Sequence, residues 1–336
     1  MSKYACSKTD CTVAVTEKCL LSHVPVETCP HVRVSQADVP DQRPEGPGSA
    51  FPTTLVYPGN ELGLKQVSEL FASRYGHLIG VLGAYGTGKT CLLCSLYLLA
   101  SCGDLRPTRL FAGSMTLLGF ESRLRLLRKW GGTGLPDKIV DHTSLLDDPR
   151  QPGFVHLALK QTAPVPALRD LFFTDLPGEW TTDLIKRADV AERFRFLSRA
   201  DGLVITVQAP QLLAPETRNS QIQSARILLQ RLHDAVGIAP TIPVIFAITR
   251  CDITGAIVPP AVYQVVEFAR ELGFCNVSHM PVASFSDRAD VPSGMGVASL
   301  LDALFPTSVQ SPPHSMSPSD ESRMFARFRF VAEAHV

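Results

Sequence analysis

The chain lacks several features that would assign it to a broad class at once. No apolar run reaches the roughly 18 residues that a membrane-spanning helix needs, so no membrane span is expected. Neither sign of charge is in excess: 32 basic residues face 32 acidic ones. Nothing global therefore points to nucleic acid or to an anionic surface. There is no internal repeat. Met1-Ser2-Lys3-Tyr4 is followed by Cys6 and Asp10 before any apolar stretch, which does not read as a secretory signal. A cytoplasmic protein is the resulting expectation. The cysteines, nine in number, do not pair off as a disulfide framework.

What is present is unevenly distributed. Residues 1–35 carry Cys6, Cys11, Cys19 and Cys29, with His23 and His31 nearby. Four soft ligands suit tetrahedral zinc, and a segment this short builds no core without a staple. The spacing contains no C-x-x-C knuckle, so a loose reduced-thiol extension is the competing reading. Residues 36–58 are rich in proline and glycine and read as a linker. Residues 59–306 alternate strand-like and helix-like runs, which implies an α/β domain on a mostly parallel sheet flanked by helices. Residues 307–336 form a tail.

Within the central segment, strands are expected at 77–83, 154–161, 168–175, 202–208, 243–249 and 279–283. Helices are expected at 89–102, 220–235, 261–272 and 296–304. The strands near 154–161 and 168–175 should pair antiparallel across a proline-containing turn. The runs GLVITVQ and PVIFAIT are apolar without alternation, as suits strands covered on both faces.

Gly83-Ala84-Tyr85-Gly86-Thr87-Gly88-Lys89-Thr90 fits G-x-x-x-x-G-K-[ST], set between an expected strand and an expected helix. Backbone N–H groups in such a loop wrap around phosphates, and the helix N-terminus adds its positive end. Lys89 is placed to reach the β- and γ-phosphates and Thr90 to bind Mg²⁺. The cofactor-binding set here is Gly83, Tyr85, Gly86, Thr87, Gly88, Lys89, Thr90 and Cys91. Cys91 and Cys94 also form a C-x-x-C, but on a helix, where packing is the expected role.

Asp175-Leu176-Pro177-Gly178 ends an apolar strand in D-x-x-G. A carboxylate there suits Mg²⁺, and Gly178 can offer an unobstructed backbone N–H to a γ-phosphate. Thr249-Arg250-Cys251-Asp252 follows another apolar strand. The Asp252 carboxylate can accept from guanine N1–H and N2–H₂ together, a pair adenine lacks, and the Arg250 stem can lie across the base.

These ordered motifs, GAYGTGKT, DLPG, TRCD and a weak Val282-Ala283-Ser284, resemble those of the translation-factor-like and Ras-like P-loop GTPases. A narrower resemblance is to the bacterial double-GTPase domains of conflict and defence gene clusters. It rests on the cysteine-rich start, the stretch from Phe111 to Glu121, and Phe154 to Leu157. The resemblance implies guanosine triphosphate (GTP) and Mg²⁺ as cofactors, with Lys89, Asp175, Gly178 and Glu179 at the chemistry. Base contacts would come from Thr249, Arg250, Asp252, Ala283 and Ser284. It also implies a protein effector or activator.

Against the family pattern, Glu179 stands where many relatives have a glutamine, so slow hydrolysis is expected. Tyr85 occupies a loop position that is often glycine, and Arg250 replaces a lysine. A metal-closing threonine is expected before the strand at 154, at Thr143, Thr133 or Ser144. Residues 104–135 read as an inserted strand (108–113) and helix (115–129). Arg123, Arg125, Arg128 and Lys129 on that helix suggest a solvated or docking face, with a cis arginine finger as the sharper alternative. A nucleotide-bound scaffold without chemistry and an ATPase remain the rival functions.

Overall fold

The computed structural model describes residues 4–8, 10–16, 18–34, 59–73, 75–128, 151–163 and 166–305. The 36–58 linker, Thr133, Thr143, Ser144, Lys129 and the 307–336 tail lie outside the described residues. The chain divides into two compact units, with the division after Val56.

In the first unit, Tyr4–Cys6 pairs antiparallel with Val32–Val34, with Cys6 opposite Val32. Val13 is fully buried and Cys29 nearly so. Cys6, Cys11, Cys19 and Cys29 are all free thiols. Cys11 lies near Cys6, and Cys19 lies near both Cys29 and Cys11. Among the described residues, no group of three or more His, Cys, Asp or Glu could hold a metal ion. The four-cysteine zinc site expected from the sequence thus gains no support.

The second unit is built on an eight-stranded sheet. Its strands are β1 (Leu62–Gly63), β2 (His77–Leu82), β3 (Arg109–Gly113), β4 (Gly153–Gln161), β5 (Ala167–Thr174), β6 (Gly202–Gln208), β7 (Pro243–Thr249) and β8 (Asn276–Pro281). The order is β8-β7-β6-β2-β5-β4-β1, with β3 also paired to β4. From β8 to β5 every pairing is parallel. The pairings of β4 with β5, β1 and β3 are antiparallel. The expected β4/β5 pair forms, in register from Phe154 opposite Thr174 to Gln161 opposite Ala167.

The main helices are α1 (Leu64–Ser73), α2 (Lys89–Cys102), α3 (Leu117–Arg123), α4 (Gly178–Lys186), α5 (Pro215–Arg231), α6 (Ala261–Glu271) and α7 (Val297–Leu304). Side chains alternate along β6 and β7, and that alternation explains their unbroken apolar runs. Leu203, Ile205, Val207, Phe246 and Ile248 face one core with Leu228 and Leu229 of α5 and Val265 and Val266 of α6. Val204, Ile245 and Ala247 face the other, with Leu92, Leu93 and Leu96 of α2 and Leu300, Leu301 and Leu304 of α7. Both faces are dry, so neither strand has a solvent side for polar residues.

Several elements depart from expectation. The 115–129 helix is instead two short ones, α3 and Arg125–Arg128, separated by buried Leu124. Helix α5 begins earlier than expected, with proline in its first turn, and passes into a π turn at Leu232–Val236. Strand β8 starts at Asn276, ahead of the expected 279, and is half-exposed along its length. Helix α4 and the 3-10 segment Asp189–Arg199 were not foreseen.

Phe246 is fully buried on β7, within the core shared with α5 and α6. Phe246→Ala should lower unfolding free energy by about 3–5 kcal/mol, read from the urea midpoint at constant slope. A loss below about 1 kcal/mol would place this strand outside the core.

Candidate functional site

The parallel strands deliver their C-terminal ends to one edge, where ligands bind in open α/β sheets. Three chain turns meet there. The loop after β2 runs from Gly83 to Gly88 and enters α2 at Lys89. The turn after β5 carries Asp175 and enters α4 at Gly178. The turn after β7 carries Arg250 and enters the short helix Cys251–Thr254.

Hydroxyl groups tie these turns together. Thr249 Oγ1 donates to the Thr87 carbonyl at 2.7 Å and is also 3.2 Å from the Val207 carbonyl. The Thr87 and Thr206 hydroxyls lie 2.7 Å apart, and Thr206 Oγ1 donates to the Leu82 carbonyl. Thr90 Oγ1 donates to Asp175 Oδ1 at 3.1 Å. Arg250 Nη2 reaches the Gly86 carbonyl at 3.4 Å from a left-handed backbone with φ 60°. The loop containing Ala283 and Ser284 is held beside the Arg250 turn, because Cys251 N–H donates to the Val282 carbonyl.

Lys89 is buried, and its Nζ donates to the Gly83 carbonyl at 2.8 Å and the Ala84 carbonyl at 3.1 Å. Burial pulls its pKa down to about 8, against the opposing pull of Asp175 and Glu179. Asp175 is 1% exposed. Glu179, one residue past Gly178, is exposed, and so is the Tyr85 side chain. Asp252 is half-buried beside these loops.

Gly178 shows why this turn requires glycine. A Cβ there would lie 2.4 Å from Tyr85 Cα and 2.6 Å from Tyr85 N. The D-x-x-G turn is therefore packed directly on the backbone of the phosphate loop.

A family model, Double-GTPase 2, matches residues 77–305, more than half of the chain. The chain belongs to the Double-GTPase 2 family. It is thus a P-loop GTPase of double-GTPase type. Among solved structures, the G domain of the FeoB iron transporter of T. maritima is 17% identical. It has a TM-score of 0.34 and covers 68% of this chain and 97% of that one. The signal recognition particle receptor SRb-GTP/SRX complex of Chaetomium thermophilum is 15% identical, with a TM-score of 0.36, covering 64% and 94%. A GTP-binding protein of Sulfolobus solfataricus in complex with GDP is 14% identical, with a TM-score of 0.32, covering 66% and 50%. The matched region spans about half of that last chain, and 53% of an SsGBP variant of solved structure. No curated protein matches.

Two residues of the second unit go beyond the motif reading: Arg123, inside the matched region, and Glu61, ahead of it. Arg123 is not on a solvated face: its side chain is 8% exposed. Its Nε donates to Asp175 Oδ2 at 2.9 Å, its Nη1 to the Gly119 carbonyl at 2.9 Å, and its Nη2 to Glu61 Oε1. Burial alone would lower the guanidinium pKa, but Asp175 and Glu61 prevail and raise it. Burial pushes the Glu61 carboxyl up, against the pull of Arg123. A sequence signal for Arg123 did exist. It shares a helix face with Phe120, three residues before it, and both are buried. Arg125 is exposed, as expected for that helix.

Cys91 and Cys94 fit the packing reading. Cys94 is fully buried, and Cys91 packs against the same core. Burial pushes the Cys91 thiol up to about 11, away from thiolate chemistry.

Two outcomes follow. Gly178→Ala cannot be absorbed by a side-chain shift, because backbone stands in the way. It should weaken guanine-nucleotide affinity by at least about tenfold, near 1.4 kcal/mol, in a fluorescence titration. Unchanged affinity would show that turn and loop move independently. Lys89, as an ammonium, is the form that attracts phosphate. Above pH 8 the free protein loses that proton and binding must restore it, so affinity should fall as pH rises from 7 to 9.5. The limiting slope is about tenfold per pH unit, and a flat profile would mean that Lys89 does not meet the phosphates.

Proposed function

We propose that this chain is a GTP-binding switch with slow, Mg²⁺-dependent hydrolysis. The observation that carries the reading is the Thr90–Asp175 hydrogen bond, which joins the G-K-T and D-x-x-G motifs at one point beside Lys89.

In this reading the backbone of Gly83 to Gly88 wraps the phosphates. Lys89 turns from the Gly83 and Ala84 carbonyls to the β- and γ-phosphate oxygens. Thr90 and Asp175 hold Mg²⁺. A hydroxyl and a buried carboxylate are hard oxygen donors, which suits that ion. When bound, the metal would offset the negative charge of the phosphates.

Gly178 offers its backbone N–H to the γ-phosphate, so loss of that phosphate releases the turn onto α4. Glu179 sits one residue further with an exposed carboxylate, which the γ-phosphate repels. Water is therefore poorly oriented by the isolated chain, and turnover is slow until a protein activator or effector engages this surface. Tyr85, exposed on the phosphate loop, hinders an arginine finger from the solvent side. A setting in bacterial conflict systems follows from the double-GTPase resemblance.

The same Glu179 carboxylate favours one rival, a nucleotide-bound scaffold without chemistry. Single-turnover GTP cleavage that disappears in Lys89→Ala supports the switch. Tight GTP binding with no cleavage supports the scaffold.

The base is read by Asp252, with Thr249 bracing the loop, the Arg250 stem across the ring, and Ala283 and Ser284 at its edge. Two hydrogen bonds to a charged acceptor contribute about 1.5–3 kcal/mol each. Asp252→Asn should therefore weaken GTP by about 10²–10⁴ and favour xanthosine triphosphate, whose carbonyl accepts from the new amide. Competition of GTP, ATP and xanthosine triphosphate against a fluorescent nucleotide reads this out. Equal binding of ATP and GTP by the unaltered chain would favour an ATPase.

A further inference from the structure

Asp175, assigned above to the metal, is engaged on both oxygens by this chain. Thr90 donates to Oδ1 and Arg123 to Oδ2, at 3.1 and 2.9 Å. Behind Arg123 stands Glu61, whose side chain is 8% exposed. Taking a guanidinium and two carboxylates out of water costs several kcal/mol per ion unless geometry and charge compensate. A simple structural bolt between α3 and the sheet would be made more cheaply from apolar side chains.

The backbone is shaped to admit this triad. A Cβ on Gly153 would lie 2.5 Å from Glu61 Oε2, and a Cβ on Gly119 would lie 1.8 Å from the Asn60 carbonyl. Gly119 N–H donates to the Gly59 carbonyl, and Asp175 N–H to the Gly153 carbonyl. Residue 61, helix α3 and the Asp175 turn are thus drawn together at points where side chains are missing.

We propose that Arg123 is a positioning residue for the metal-binding carboxylate, with Glu61 as its charge balance. Arg123 fixes Oδ2 of Asp175, so that Oδ1 stays beside the Thr90 hydroxyl. Alone, a fixed positive charge next to Asp175 would repel a divalent cation. Glu61 cancels it, so the triad presents the net single negative charge of a bare carboxylate in one orientation. This inference rests on the Mg²⁺ reading above.

Two variants separate charge from orientation. Glu61→Gln keeps shape but leaves the Arg123 charge unbalanced. Arg123→Lys keeps charge but loses the directed Nε donor. Release of a fluorescent guanosine diphosphate is followed as Mg²⁺ is titrated, alongside single-turnover GTP cleavage and thermal unfolding.

Glu61→Gln should raise the half-saturating Mg²⁺ concentration by about tenfold. Arg123→Lys should shift it far less, while slowing cleavage by about tenfold. If Glu61→Gln does not fold, Arg123→Lys carries the test through its contrast between cleavage and metal midpoint. Variants that lower only the unfolding temperature, with midpoint and cleavage unmoved, would overturn the proposal. If release from the unaltered chain ignores Mg²⁺, the metal reading itself fails and takes this proposal with it.

Discussion

The site depends on how a single buried carboxylate is held. Asp175 is 1% exposed, and a polar group at that depth is costly unless its hydrogen-bonding atoms are met. Thr90 meets one oxygen and Arg123 the other, and the Asp175 N–H is satisfied by Gly153. Each contact comes from a different element: the phosphate-loop helix, the inserted α3 and strand β4. A change at Asp175 is therefore felt in three places.

The rest of the site is braced from beneath by hydroxyls. Thr249 reaches from the turn after β7 to the phosphate loop, and Thr87 and Thr206 tie that loop to β6. These bonds fix loop against loop. The packing of Gly178 on Tyr85 adds a steric constraint, so movement of the D-x-x-G turn must involve the phosphate loop.

Much of this was legible in the sequence, because its signals are local. The phosphate loop, Asp175, Thr249 and Asp252 are motif positions at strand ends, and the runs GLVITVQ and PVIFAIT are the strands β6 and β7. The four-cysteine zinc site was read from residue type alone, and the described residues give it no support. Strand β8 was displaced because its half-exposed edge lacks clean alternation. Helix α4 escaped notice because GEWTTDLIK buries few large apolar side chains, Trp180 and Leu184 among them. Arg123 was placed on a solvated face, and Glu61 drew no reading at all, for another reason. Charged residues are by default solvated, and only the tertiary meeting of residue 61, α3 and β5 makes them partners.

The central claim is that Thr90 and Asp175 form one oxygen site for a divalent cation beside bound GTP. Calorimetric titration of GTP into the chain and into Thr90→Ala, each with Mg²⁺ and with chelator, tests it most directly. The account predicts tight GTP binding to the unaltered chain only with Mg²⁺, and a Thr90→Ala chain that gains little from the metal. GTP affinity indifferent to Mg²⁺ in the unaltered chain, or an equal Mg²⁺ gain in both, would contradict it.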